Sequence, residues 1–248
     1  MRVTVVGCSG SFPGPTSSAS CYLVESDGYR VVLDLGNGSL GALQRHIDLD
    51  DIDAVLLSHL HADHCLDLCS YYVYRRYHPG GARPRIPVFG PSGTASRMAR
   101  AYDLPEDPGM SAEFEFIDLG EGEVPLGPLV ITARRVNHPV EAYGFRLTDG
   151  ERAIAYSGDT GRTPALLELA SGVDVALLEA SCLDADPLPD VHLTAREAGQ
   201  YASDAGVGHL VLTHLVPWND PAESLRQARE AFAGEVTLAE SGLVLSLA

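Results

Sequence analysis

The chain has 248 residues, 45% of them hydrophobic, and a formal net charge of −17. That balance disfavours nonspecific nucleic-acid binding, which needs a basic face to neutralise phosphates. No apolar run is long enough to span a membrane. All seventeen basic residues are arginine, and the five cysteines contain no Cys-x-x-Cys pair. Neither a disulfide framework nor a zinc knuckle is therefore expected. The N-terminus enters Val3-Thr4-Val5-Val6 directly, without a signal-peptide pattern. These features predict one cytoplasmic domain over residues 1–248 with free, buried thiols.

Apolar runs that read as strands alternate with segments of helical period. Val3–Val6 leads into a small-residue loop, Gly7-Cys8-Ser9-Gly10-Ser11. Tyr22–Glu25 and Arg30–Asp34 flank Asp27-Gly28, a hairpin signal. A short helix over Leu40–His46 precedes a buried strand, Ala54–Leu57. That strand delivers Ser58-His59-Leu60-His61-Ala62-Asp63-His64, four potential metal ligands within six residues. Loops at the carboxyl ends of strands are where α/β sheets expose functional groups. Three imidazoles and a carboxylate suit a borderline divalent ion: zinc, with manganese or iron as alternatives.

Downstream, Leu66–Arg76 reads as a helix carrying Tyr71, Tyr72, Tyr74, Arg75 and Arg76, followed by Tyr77 and His78. Ile86–Phe89 reads as a strand and Ser92–Tyr102 as a helix. A β-rich centre follows with Phe114–Ile117, Leu129–Val136, Ala142–Leu147 and Arg152–Tyr156, the last two joined at Asp149-Gly150. Thr163–Ala170 is helical and Val175–Glu179 is a strand. Thr194-x-x-Glu197 forms a capping box for a helix to about Ala205. Leu210–Thr213 is a strand. Asp220-Pro221 caps a final helix, before Val236–Leu238 and Leu243–Leu247. Three further candidate ligands follow strands: His138, Asp159 and His214.

His59, His61, Asp63, His64, His138, Asp159 and His214 resemble, in order, the metal motifs of the metallo-β-lactamase superfamily. The resemblance covers essentially the whole chain. It implies an α/β fold, an αβ/βα sandwich of two mixed β-sheets flanked by helices, with two divalent metal ions at one rim. By that likeness His59, His61 and His138 hold one metal, Asp63, His64 and His214 hold the other, and Asp159 bridges them. Such an ion pair lowers the pKa of water toward roughly 7 and neutralises charge on an attacked oxygen. Hydrolysis is the expected reaction, with Asp63 also orienting the water.

Within the superfamily the chain is most similar to the ribonuclease Z branch. Glu179-Ala180-Ser181 resembles that branch's Glu-Ala-Thr, and His192-Leu193-Thr194 its His-Ser-Thr. The likeness implies that His192 protonates the leaving oxygen and Glu179 holds it in place. Departures matter as well. Only 21 positions separate His138 from Asp159, too few for that branch's long tRNA-gripping arm, and Leu215-Val216-Pro217-Trp218 replaces its Ser-x-Arg-Tyr. In Leu40–His46, Arg75–Pro79 and Pro217-Trp218 the chain resembles arm-less bacterial phosphodiesterases that hydrolyse cyclic nucleotides. A small phosphodiester such as cyclic AMP is therefore the expected substrate. Trp218 is expected to stack on a base, with Arg75, Arg76 or His78 meeting phosphate or ribose. The aromatic stripe around those arginines reads equally as the face of a homodimer. The alternatives are a tRNA 3′-end endoribonuclease, a lactone or thioester hydrolase, and a di-iron redox protein, which usually needs a flavin-binding partner domain.

Overall fold

The computed structural model describes residues 1–186 and 190–247. The strands divide between two sheets. The first runs, edge to edge, Val244–Ser246, Arg2–Ser9, Cys21–Ser26, Tyr29–Leu33, Ala54–Leu56, Ile86–Gly90 and Phe114–Asp118, with Ser18–Ala19 pairing beside Arg2–Ser9. The second runs Glu235–Leu238, His209–Thr213, Val175–Glu179, Ala153–Tyr156, Tyr143–Thr148, Leu129–Arg135 and Gly122–Leu126. Both sheets mix parallel and antiparallel pairs, as the αβ/βα sandwich requires.

Side-chain alternation along the strands creates three apolar layers. Val3, Val5, Val31, Leu33, Phe145, Ile154, Leu177 and Val211 meet between the sheets. The opposite faces of the first sheet, through Val6, Val32 and Val55, pack against Leu43, Leu68, Tyr71 and Met98 of its helices. Ala155, Ala176, Leu178 and Leu212 of the second sheet pack against Leu166, Ala198, Ala202 and Ala228. Strands buried on both faces lose polar alternation, which is why Val175–Glu179 is apolar until its last residue.

Strand direction positions the site. Tyr29–Leu33 and Ala54–Leu56 are parallel neighbours, so the residues following them emerge at one rim. Arg2–Ser9 shares that direction, being two antiparallel steps from Tyr29–Leu33. In the second sheet Ala153–Tyr156, Val175–Glu179 and His209–Thr213 are parallel. Leu129–Arg135, again two antiparallel steps away, points the same way. The loops holding His138, Asp159 and His214 consequently gather at one end.

Several local signals act as expected. Asp27 and Gly28 adopt φ of 48° and 79° in their hairpin. Thr194 and Glu197 form a reciprocal capping box on Ala195–Ala205, worth roughly 0.5–2 kcal/mol. Asp220 caps Pro221–Ala231. The helix expected over Leu66–Arg76 forms over Leu68–Tyr77, preceded by a single unexpected turn, Ala62–Cys65. The strand Gly122–Leu126 was not expected, because its glycine, proline and exposed glutamate weaken the pattern; as an edge strand pairing only with Leu129–Arg135 it tolerates them. Among the described residues no helix is long and apolar enough to cross a membrane.

Candidate metal centre

The seven predicted ligands converge. Donor atoms of His59, His61, His138 and Asp159 lie within 4.8 Å of one another, as do those of Asp63, His64, Asp159 and His214. Asp159 belongs to both sets. His59 Nε2 stands 2.9 Å from His61 Nδ1, and His138 Nε2 stands 3.2 Å from the same atom. Asp159 Oδ2 is 3.7 Å from His59 Nε2, while its Oδ1 is 3.1 Å from His64 Nε2 and 3.4 Å from His214 Nε2. Asp63 Oδ2 lies 3.2 Å from His214 Nε2. Nitrogens tetrahedrally bound to one zinc at about 2.0–2.1 Å would be separated by roughly 3.4 Å.

Every imidazole except His61 is oriented from behind. Asp34 is wholly buried and accepts from Ser58 N at 2.6 Å, Ser58 Oγ at 2.7 Å and Tyr156 Oη at 2.6 Å. Its Oδ2 is 2.7 Å from His64 Nδ1, so the imidazole proton sits there and Nε2 faces the cluster. His138 Nδ1 donates to Val191 O at 3.2 Å. Ser181 Oγ donates to His214 O and accepts from His214 Nδ1 at 2.7 Å. Ser58 Oγ is 3.1 Å from His59 Nδ1. Two glycines permit the close approach of loops: a Cβ on Gly36 would lie 2.0 Å from Asp63 O, and one on Gly10 would lie 2.5 Å from His214 O.

Electrostatics distinguish the ligands. Burial pushes the Asp63 carboxyl up, but hydrogen bonds from His214 and His64 outweigh it and hold the group below the carboxylate range. Asp159, also buried, is held well below that range by His214 and His64. Burial and the neighbouring His64 press His59 toward its neutral, ligating form. His64 Nε2 and Asp159 Oδ1 are buried and make no hydrogen bond. Orphaned polar atoms of this kind cost free energy unless something pairs with them. A divalent ion fits the nitrogen and oxygen donors that face this space.

Beside the cluster stands a second constellation. His192 Nδ1 is 2.9 Å from Glu179 Oε1, which also accepts from Thr160 N at 2.7 Å. The His192 ring stacks on His214 with centroids 5.7 Å apart. Burial alone would lower the His192 pKa; the Glu179 carboxylate outweighs it and raises the value to about 9.

The remaining predicted contacts separate. Trp218 is 68% exposed and its ring lies 5.8 Å from that of Phe12, itself 44% exposed. Ser11 N, next to Phe12, is 3.3 Å from His214 Nε2, so this aromatic pair borders the cluster. Arg75 is a correction: it is buried, its guanidinium bonded to Pro84 O, Glu113 O and Tyr71 Oη, and is closed to any ligand. Arg76 pairs with Glu113 at 3.0 Å, and His78 with Arg83 at 3.3 Å. A rise of about 1.5 Å per residue carries both roughly 12 Å or more along the helix from Leu68. Sequence reasoning missed Asp34, Ser58, Tyr156 and Ser181. The available signal was Asp34 ending a strand parallel to the one that delivers His59.

Residues 29–215 match the model of the beta-lactamase superfamily domain. The chain belongs to that superfamily, as a metallo-hydrolase. A protein of Mycobacterium leprae is 46% identical over 248 residues, covering 98% of this chain and 87% of its own. The probable metallo-hydrolase YhfI of Bacillus subtilis is 29% identical, over 98% of this chain and 99% of its own. The crystal structure of YhfI matches with a TM-score of 0.89 at 28% identity, covering 99% of both chains. Ribonuclease Z of Streptomyces coelicolor is 30% identical, over 96% of this chain and 95% of its own.

Proposed function

We propose that the chain is a binuclear metal-dependent phosphodiesterase acting on a small cyclic nucleotide. The observation that carries the reading is the Glu179–His192 pair, hydrogen-bonded at 2.9 Å and stacked against His214. A phosphodiester needs a proton donor for its alkoxide leaving group, and His192 supplies one beside the metal-binding residues. Two divalent ions, zinc before manganese or iron, would be held by the two donor sets that share Asp159; when bound they supply Lewis acidity and lower the pKa of water toward roughly 7.

The chain's own groups do the rest. Asp63 accepts a proton-side hydrogen bond from the attacking water and fixes its direction. His192 delivers the Nε2 proton to the departing oxygen. Glu179 holds His192 Nδ1–H, so the ring stays protonated and aimed. Trp218, with Phe12 beside it, offers a face on which a base can stack.

The preference for a small substrate rests on three observations. Tyr143–Thr148 and Ala153–Tyr156 join through a tight turn in which Asp149 Oδ1 accepts from Arg152 N at 2.8 Å. No arm for gripping tRNA fits there. The alignment with Streptomyces ribonuclease Z spans 298 positions, 50 more than this chain has residues, and the net charge of −17 adds repulsion toward a polyanion. Metal-loaded protein assayed against cyclic AMP, bis(p-nitrophenyl) phosphate, precursor tRNA and a lactone tests this. Turnover of the phosphodiesters supports the reading, and turnover of the lactone alone refutes it. Cleavage of precursor tRNA in preference to cyclic AMP would instead support an endoribonuclease.

A further inference from the structure

His61 borders more than the metal-binding cluster. A cavity of about 420 Å³ opens beside it, with Leu60, Pro91 and Val140 as apolar walls and Arg97 on one side. Arg97 is unusual in this chain. Acidic residues outnumber arginines 34 to 17, and most guanidinium groups are tied to carboxylates or carbonyl oxygens. Only Arg45, Arg85 and Arg97 make no side-chain hydrogen bond or ion pair among the described residues. Arg45 and Arg85 line other cavities. The carboxylate facing Arg97's cavity, Glu141, is already engaged by Arg135 at 3.3 Å, Ser92 Oγ at 2.6 Å and Tyr143 Oη at 2.8 Å.

A half-buried guanidinium left free beside a metal-binding histidine, in so acidic a protein, is an anion site in waiting. Its planar donors suit a phosphate in bidentate geometry. Resting on the phosphodiesterase reading above, we propose that this cavity receives a second phosphate of the substrate, held by Arg97 while the scissile phosphodiester lies over the metal-binding residues. The substrate class is then a nucleotide with two phosphates, such as a cyclic dinucleotide, in preference to a cyclic mononucleotide.

The test compares kcat/KM of the metal-loaded protein for cyclic di-AMP and cyclic AMP, which share base, ribose and bond type. Arg97→Gln should lower the ratio of the two values about ten- to hundredfold, mainly through KM for the dinucleotide. Arg97→Lys should retain part of the preference, and Val140→Asp should lower it with Arg97 intact. Melting temperatures of all variants, compared with the parent, report any folding defect. A ratio within twofold of the parent's in Arg97→Gln, or equal losses on both nucleotides, overturns the inference while leaving the phosphodiesterase reading intact. If the parent protein hydrolyses bis(p-nitrophenyl) phosphate but neither nucleotide, this inference and the cyclic-nucleotide assignment both fall, while phosphodiester hydrolysis stands. If it hydrolyses no phosphodiester, all three fall.

Discussion

Replacing Asp34 by asparagine probes whether a residue that touches no metal sets the metal affinity. The side chain keeps its size. Its Oδ1 position can still accept from Ser58 N, now at 2.6 Å, but an amide NH2 then occupies the Oδ2 position. That position is 2.7 Å from His64 Nδ1 and accepts from Ser58 Oγ and Tyr156 Oη. Serine and tyrosine hydroxyls can turn to accept; His64 can accept only by moving its proton to Nε2. The protonated Nε2 then faces Asp159 and can no longer ligate. Flipping the amide restores His64 but sets an NH2 against Ser58 N–H, so one conflict always remains. Losses of this kind lower metal affinity about 10- to 100-fold, or roughly 1.4–2.7 kcal/mol. Asp34→Ala is a poorer probe, because removing one partner of a buried charged network costs about 3–5 kcal/mol of folding free energy. Affinity is read by competition with a chromophoric chelator, on protein whose near-ultraviolet dichroism matches the parent. Affinity within twofold of the parent's would refute the tautomer argument.

Asp159→Ala is expected to lose at least one metal by elemental analysis and all turnover, whereas His192→Ala should keep its full metal content and lose about 10²–10⁴-fold in rate. Equal loss of metal in both variants would collapse the division between ligand and proton donor. His192 keeps its proton below about 9, so the kcat profile should hold through neutral pH and fall as pH rises through that value; Glu179→Gln should move the fall toward the ordinary imidazole value near 6.5. Trp218→Ala should raise KM for cyclic AMP about five- to 150-fold, the equivalent of roughly 1–3 kcal/mol of stacking, with kcat little changed. Metal at a hundred times its Kd should stabilise the fold by about 2.7 kcal/mol, which calorimetry with and without chelator would show as a Tm difference of about 5–11 °C.

The parts of the site that are legible in the sequence are those carried by rare residue types at strand ends. His59-x-His61-x-Asp63-His64 is dense enough to stand out, and His138, Asp159 and His214 each follow an apolar run. Asp34 follows one too, yet an acid after a strand is ordinary; its place behind His64 becomes visible only when Tyr29–Leu33 and Ala54–Leu56 are known to be parallel neighbours. Val191 supports His138 through a carbonyl oxygen, which no side-chain pattern can announce. Arg75 misled for a related reason. Arginine is normally exposed, and the groups that let this one be buried include two backbone carbonyls, Pro84 O and Glu113 O. Phe12 escaped notice because its proximity to Trp218 joins the two ends of the chain.

The same network also decides where stability and function oppose each other. His59, His61, Asp63 and His64 come from the first sheet; His138, Asp159 and His214 come from the second. A slide of one sheet over the other by about an ångström would separate the two donor halves. Hydrogen bonds beneath the site resist it: Tyr156 Oη to Asp34 at 2.6 Å, Tyr22 Oη with Thr213 Oγ1 at 2.5 Å, and Tyr143 N to Ser58 O at 2.9 Å all cross between sheets. Buried polar networks are worth keeping only when their members are satisfied, and here every crossing group is. The exceptions are His64 Nε2 and Asp159 Oδ1, left without hydrogen bonds where the two halves meet. The fold therefore satisfies the polar groups that fix the register and leaves bare two of the atoms that a cation would take. Functional sites break local rules that the surrounding structure keeps, and in this protein the breach is confined to those two atoms of the donor set.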